Sequence, residues 1–261
     1  MDLHPLLCSG FVNYIATFPK AIPSGTTVSF NVLTAFPHLM VPYPKEITQL
    51  EDQLVELEVN AYFTSPYATS DQVTTVNLGS SRVESYTKVE PSSKETSSIV
   101  YGHYEGVEPY TVSMARIHFK NNSPFVTFTT VEREIEVSHW GNVAVEEHYD
   151  LENTGAALKG GFSRVDYQMK SAKSNSLASL DATLIGSATD IYYRDIIGNI
   201  STSNVRQAHG AVEFEVSWKT QWYQGYNVPS KDVLEHDGSD FRLTFDVNVP
   251  FPDVVIDNYL V

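Results

Sequence analysis

Residues 131–145 read VEREIEVSHWGNVAV. Val131, Ile135 and Val137 recur on one face while Glu132, Glu134 and Glu136 occupy the other, which is the period of two that a pleated strand gives its side chains. Trp140-Gly141-Asn142 breaks the alternation, and it resumes at Val143 and Val145. Glycine and asparagine accept the positive φ of a tight turn, so the stretch predicts a β-hairpin with one wet face.

Working outward, the same alternation recurs. Val212, Phe214, Val216 and Trp218 alternate with Glu213, Glu215 and Ser217, and Phe241, Leu243, Phe245, Val247 and Val249 alternate with Arg242, Thr244, Asp246 and Asn248. Each set predicts a half-buried strand. Thr26–Ala35 and Tyr110–Lys120 also read as strands. Ile47–Asn60 fits either a short helix through Leu50, Leu54 and Leu57 or a loop entering a strand at Val55–Val59; the β preference of Val59, Tyr62 and Phe63 favours the strand. Residues 82–98 and 168–179 are polar connections, and the NNSP segment within 121–131 marks a boundary. The expectation is a mainly β chain of two successive antiparallel, sandwich-like domains, 11–130 and 131–261, with no repeat of fixed period.

Composition agrees with strands. The 261 residues are 42% hydrophobic and 12% aromatic, enough to bury a core and unlike a disordered chain. Seventeen Lys and Arg against thirty-two Asp and Glu give a net charge of −15, which repels phosphate backbones, so nucleic acid is not an expected partner. Cys8 stands alone and excludes an internal disulfide framework, although a domain with an adequate core needs none even in an oxidising compartment. No apolar run is long enough to span a bilayer, and residues 1–8 lack the basic flank and length of a secretory signal.

Several groups invite a chemical reading. Glu132, Glu134 and Glu136 offer paired carboxylates, but alternation points all three the same way, as on a solvated strand face. His139 and His148, with Glu146 and Glu147 between, are metal-ligand types at a spacing that matches no familiar site. Trp140, Trp218 and Trp222 with Tyr192, Tyr193, Tyr223 and Tyr226 suit either a sugar-stacking platform or a core. Trp218 falls on an apolar face and reads as core; Trp222 and Tyr223, near a turn, are the candidate binding aromatics. No nucleophile elbow, phosphate-binding glycine loop, HExxH, CxxC or Asp-x-Asp pair occurs, so no catalytic residue, metal or cofactor is expected. Two glycosylation triplets are present, Asn121-Asn122-Ser123 and Asn199-Ile200-Ser201. Pro124 makes Asn121 the poorer acceptor, and Gly198 favours an exposed turn at Asn199.

A longer comparison ties these observations together. VEREIEVSHWGNVAVEEHYDLENTGAALKGGFSRVDYQ at 131–168, YYRDIIGNIS at 192–201 and WKTQWYQGYNVP at 218–229 follow one another as in the ribophorin I family, which the chain resembles from Phe11 to Val261. The resemblance implies a non-catalytic subunit of the oligosaccharyltransferase, the complex that moves a preassembled glycan from dolichyl pyrophosphate to asparagine of nascent chains. It implies other subunits of that complex, the catalytic one included, as partners, with the nascent polypeptide a further candidate. It also implies an endoplasmic-reticulum lumenal location, with membrane anchoring through segments missing here and both β domains incomplete. The chain departs from the family between Ser217 and Trp218, where relatives carry a Pro- and Gly-rich insertion.

Overall fold

The computed structural model describes residues 2–8, 11–169, 175–177, 179–196, 198–199, 205–208, 211–217 and 220–261. They fall into two compact units, 1–36 and 37–261. In the first, β1 (Asp2–Cys8) and β2 (Phe11–Thr17) form an antiparallel hairpin. Residues 26–35, expected as a strand, have no ladder partner among the described residues and are exposed throughout. Alternating composition fits a pleated surface only where a neighbouring strand takes the backbone hydrogen bonds, so the expectation is corrected there.

The second unit opens with β3 (Met40–Pro42), β4 (Glu46–Ile47), β5 (Leu54–Asn60), β6 (Thr69–Asn77), β7 (Val83–Tyr86), β8 (Ser92–Lys94), β9 (Ser98–Val107) and β10 (Met114–Lys120). Two sheets result, ordered β3-β5-β10-β7 and β6-β9-β8. Their inner faces close on one core, in which Val55 of β5, Ile117 and Phe119 of β10, and Ile99 and Tyr101 of β9 are fully or almost fully buried. The strand reading of Val55–Val59 holds. The polar connection 82–98 is corrected: it contains β7 and β8, edge strands too short and polar to alternate visibly.

The chain continues through β11 (Val126–Val137), β12 (Asn142–Asn153), β13 (Ala157–Leu158), a short helix α1 (Arg164–Met169), β14 (Ser179–Ile185), β15 (Thr189–Asp195), β16 (Gly198–Asn199), β17 (Arg206–Ala208) and β18 (Ala211–Ser217). It then forms β19 (Gln221–Pro229), one helical turn α2 (Ser230–Val233), β20 (Leu234–Asp237), β21 (Asp240–Leu243), β22 (Val255–Ile256) and β23 (Tyr259–Leu260). A seven-stranded sheet runs β16-β15-β19-β12-β11-β22, with β23 also on β11; only β22 and β23 lie parallel to their neighbour. A three-stranded sheet, β14-β18-β17, packs its Ala182, Leu184, Val212 and Val216 against Val131, Val143, Val145, Trp222 and Val228 of the larger one. Both cores lie between sheets that are antiparallel apart from β22 and β23, in keeping with the mainly β reading.

The predicted hairpin is β11–β12, with Val137 opposite Val143 and Gly141 at φ +89° in the turn. The predicted strand over 241–249 is corrected. Only β21 forms, with all four residues exposed, and 244–250 runs without a ladder. Phe245 and Val249 still pack against the core. The carbonyls of Asp246 and Asn248, however, accept hydrogen bonds from the Arg133 guanidinium at 2.7 and 2.8 Å instead of from a neighbouring strand.

Candidate functional site

Because paired residues of neighbouring strands share a face, the register of the seven-stranded sheet decides which side chains meet. Glu132 of β11 stands opposite His148 of β12, His148 opposite Tyr223 of β19, Tyr223 opposite Arg194 of β15, and Arg194 opposite Asn199 of β16. These residues cross the outer face as one row. The His148 and Tyr223 rings stack with centroids 5.0 Å apart and planes 13° from parallel. The Arg194 guanidinium sits 5.1 Å from the Tyr192 ring centroid and 5.8 Å from that of Tyr223, donates to the Tyr223 hydroxyl at 3.3 Å, and donates to the side-chain carbonyl of Asn199. A depression of about 390 Å³ opens beside the Glu132–His148–Tyr223 end of the row, and its lining includes the carboxylates of Glu132, Asp150 and Asp195 together with Ile196.

The adjacent row is Glu134, Glu146, Gly225 and Tyr192. Gly225 is needed because a Cβ there would fall 2.3 Å from the Tyr192 ring, which lies across the glycine. That passage lets the Tyr192 hydroxyl donate to Glu146, whose other oxygen lies 2.9 Å from His148 Nε2. Burial pushes the Glu146 carboxyl up, but the bonds to Tyr192 and His148 outweigh it and hold the group below the ordinary carboxylate value. Burial and the Glu146 charge push the Tyr192 hydroxyl up to about 12. The ring faces are largely spent within the row, on one another and on the Arg194 guanidinium, so the cluster ties β12, β15 and β19 together across the outer face.

The inner face of the same strands holds a buried polar cluster. Arg133 lies in phase with Val131 and Ile135, and Glu147 in phase with Val143 and Val145; the two are direct cross-strand partners. Arg133 Nε and Nη2 donate to Glu147 Oε1 at 2.7 and 2.6 Å, while Tyr149 and Gln224 donate to Oε2 at 2.8 and 2.9 Å. Glu147 is 0% exposed. Burial opposes the Arg133 charge, yet Glu147 more than offsets it and the guanidinium pKa is raised. Burial first, then the Glu147 charge, lifts the Tyr149 hydroxyl well above its ordinary value. With both oxygens filled, the cluster holds structure. Sequence reasoning passed over Arg133, although an arginine and a glutamate on apolar faces at paired positions of one hairpin are the signal of a buried ion pair.

The sequence-predicted residues therefore separate by face. Tyr192, Tyr223, Glu146, His148, Glu132 and Asn199 come together outside, and Tyr193, Tyr226, Glu147 and Trp222 lie inside. The expectation that Trp222 is open is corrected: at 4% exposure it stacks on Tyr149 and meets Phe128 and Phe251 edge-on, because it points to the opposite face from Tyr223. Trp140 is 95% exposed at the β11–β12 turn, and Trp218 lies outside the described residues. His139 is in that turn and Glu147 is on the inner face, so neither joins His148 and Glu146. Asn199 is exposed, whereas Asn121 is partly buried, its carbonyl oxygens committed to the Ser123 backbone and to Gln53; Ser201 lies outside the described residues.

Comparison with known proteins converges on one family. The family model described as Ribophorin I matches residues 8–261. The chain is 40% identical over 255 residues to the dolichyl-diphosphooligosaccharide–protein glycosyltransferase subunit 1B of Arabidopsis thaliana, covering 93% of this chain and 55% of that protein. It is 39% identical over 248 residues to subunit 1 of Caenorhabditis elegans (90% and 42%), and 38% identical over 258 residues to subunit 1A of Arabidopsis thaliana (95% and 42%). The chain spans about half the length of the curated relatives it matches.

Proposed function

The chain belongs to the ribophorin I family, and from that premise we propose that it acts as a non-catalytic, lumenal part of the oligosaccharyltransferase, supporting glycan transfer from dolichyl pyrophosphate to asparagine of nascent chains. The observation that carries this is the 40% identity over 93% of the chain to a relative named as a subunit of that glycosyltransferase. Its partners in this reading are the other subunits, including the catalytic one, and the nascent chain passing them. The boundary near residue 130 separates two β domains, and Asn199, exposed at a sheet edge, is the principal glycan acceptor, with Asn121 the poorer one. The non-catalytic role accords with the carboxylates: Glu147 is sealed in the core, and Glu132, Glu134 and Glu136 share one solvated face.

Mild detergent extraction of cells expressing the tagged chain tests the assignment. Co-purification with the catalytic subunit is expected, together with no transfer by the isolated chain from lipid-linked oligosaccharide to an Asn-x-Thr peptide. Glycopeptide formation that an acidic substitution in this chain abolishes would refute the non-catalytic role.

A further inference from the structure

The stretch from Lys159 to Lys173 runs against the charge of the rest of the chain. It holds Lys159, Arg164, Lys170 and Lys173 against Asp166 alone, in a molecule of net charge −15. Lys170 and Lys173 lie outside the described residues. The described part is tethered on one side: the Lys159 amide donates to the Ile47 carbonyl at 2.7 Å, the Gln49 side-chain amide donates to the Ser163 carbonyl at 2.8 Å, and the Ser163 amide donates to the Gln49 side-chain oxygen at 2.8 Å. Ser163 then caps α1, its Oγ accepting from the Asp166 amide at 3.2 Å. Yet no residue of α1 is buried. Val165 and Met169, four apart and so neighbours on one helix face, are 62% and 70% exposed, and Phe162 just before them is 46% exposed with its ring beside that of Tyr167. Six residues do not sustain a helix by propensity, and the apolar face that normally supplies the packing is here turned outward. Ion pairs among the described residues engage Arg82, Arg116, Lys120 and Arg133 but not Arg164, which stands exposed on the same helix. Phe, Tyr, Met and Arg are the residue types enriched where proteins meet, and a tethered backbone lowers the ordering cost of a contact. A bilayer fits less well, because α1 is only about 9 Å long and the net charge of the chain opposes anionic headgroups.

We propose that residues 162–169 dock onto another subunit of the oligosaccharyltransferase, at a surface with an apolar cleft rimmed by carboxylates. Phe162, Val165 and Met169 enter the cleft, and Arg164 pairs with a carboxylate at its rim. The proposal rests on the chain being a subunit of that complex.

The tagged chain, expressed behind a signal peptide and extracted in mild detergent, first shows whether the other subunits co-purify; if none does, the subunit reading and the docking fail together. Where they do, a benzophenone side chain placed at position 165 or 169 should crosslink on illumination to a subunit of the complex. The captured peptide should carry Asp or Glu beside apolar residues, and the same probe at the exposed position 94 should capture none. Arg164→Glu combined with Val165→Ser should lower co-purification about tenfold, the loss expected of an interface anchor. Because α1 buries nothing, this variant should unfold at the wild-type midpoint, which separates lost binding from lost structure. Changing the captured carboxylate of the partner to Lys should restore the binding of Arg164→Glu. Undiminished co-purification of the double variant, failure of that rescue, or crosslinks to lipid or to a second copy of this chain would each overturn the docking while leaving membership of the complex intact.

Discussion

At the scale of single residues, the sheet separates roles by parity. Neighbours along one strand, Glu146 and Glu147 or Trp222 and Tyr223, face opposite sides and do unrelated work. Gly225 makes the outer arrangement possible, and Gly225→Ala should drive the Tyr192 ring aside. Because the ring is the mobile end of its side chain, the cost is the lost bond to Glu146, about 1–2 kcal/mol, instead of a collapse of the sheet. The Tyr192 hydroxyl should then titrate closer to 10, visible as tyrosinate absorbance; an unchanged titration would show that Tyr192 does not lie over Gly225. On the inner face, Arg133→Met strands the Glu147 carboxylate in the core and should cost about 3–5 kcal/mol in denaturant unfolding. Arg133→Met combined with Glu147→Leu should recover much of that loss, because no buried charge is left alone. Equal stability of the single and double variants would contradict a buried, coupled pair.

At the scale of elements, what was legible depended on whether a strand's partner was written into the same alternation. The β11–β12 hairpin was readable because both strands and the turn lie within 131–145 and share one phase. Residues 241–249 alternate as well as any strand, yet their backbone is claimed by a side chain distant in sequence, Arg133, which local periodicity does not register. Residues 26–35 alternate without a neighbour. The candidate face was half legible: the aromatics and Asn199 were singled out, but their assembly into a row follows from pairing β12 with β19 and β19 with β15, connections that lie far apart in sequence. The turn tests the readable part. Gly141 at φ +89° should resist a β-branched side chain, and Gly141→Val is expected to cost about 1–3 kcal/mol, measured as a lower unfolding midpoint. A midpoint equal to wild type would count against the turn.

At the scale of the molecule, tyrosines that are buried or half-buried set one boundary of stability. Tyr101, Tyr192 and Tyr193 are each pushed up to about 12, with burial the largest cause, so the folded chain keeps protons that the unfolded chain releases near pH 10. The unfolded state then binds fewer protons, and stability must fall as pH rises from about 10 to 12, after a flat region below. Urea midpoints that hold constant through that window would contradict the burial. The two cores of residues 37–261 raise a different question, whether they unfold together. Their connection includes the short β4–β13 pairing and one fully buried side chain, Gln53, at the entry to β5. Its amide donates to the carbonyls of Asn121 and Ser123 at 2.8 and 3.2 Å, and its carbonyl accepts from the Ala156 backbone at 2.7 Å. One glutamine thus ties the start of the first core to the segment before β11 and to the loop after β12. Gln53→Leu keeps the approximate volume but leaves those backbone groups without their partner, a loss of about 1–3 kcal/mol that falls on the junction and not on either core. Calorimetry should therefore show one transition for wild type and two separated ones for Gln53→Leu, each core retaining its own sheets. A single transition merely shifted downward would place the coupling elsewhere, and two transitions in wild type would show that Gln53 does not join the cores.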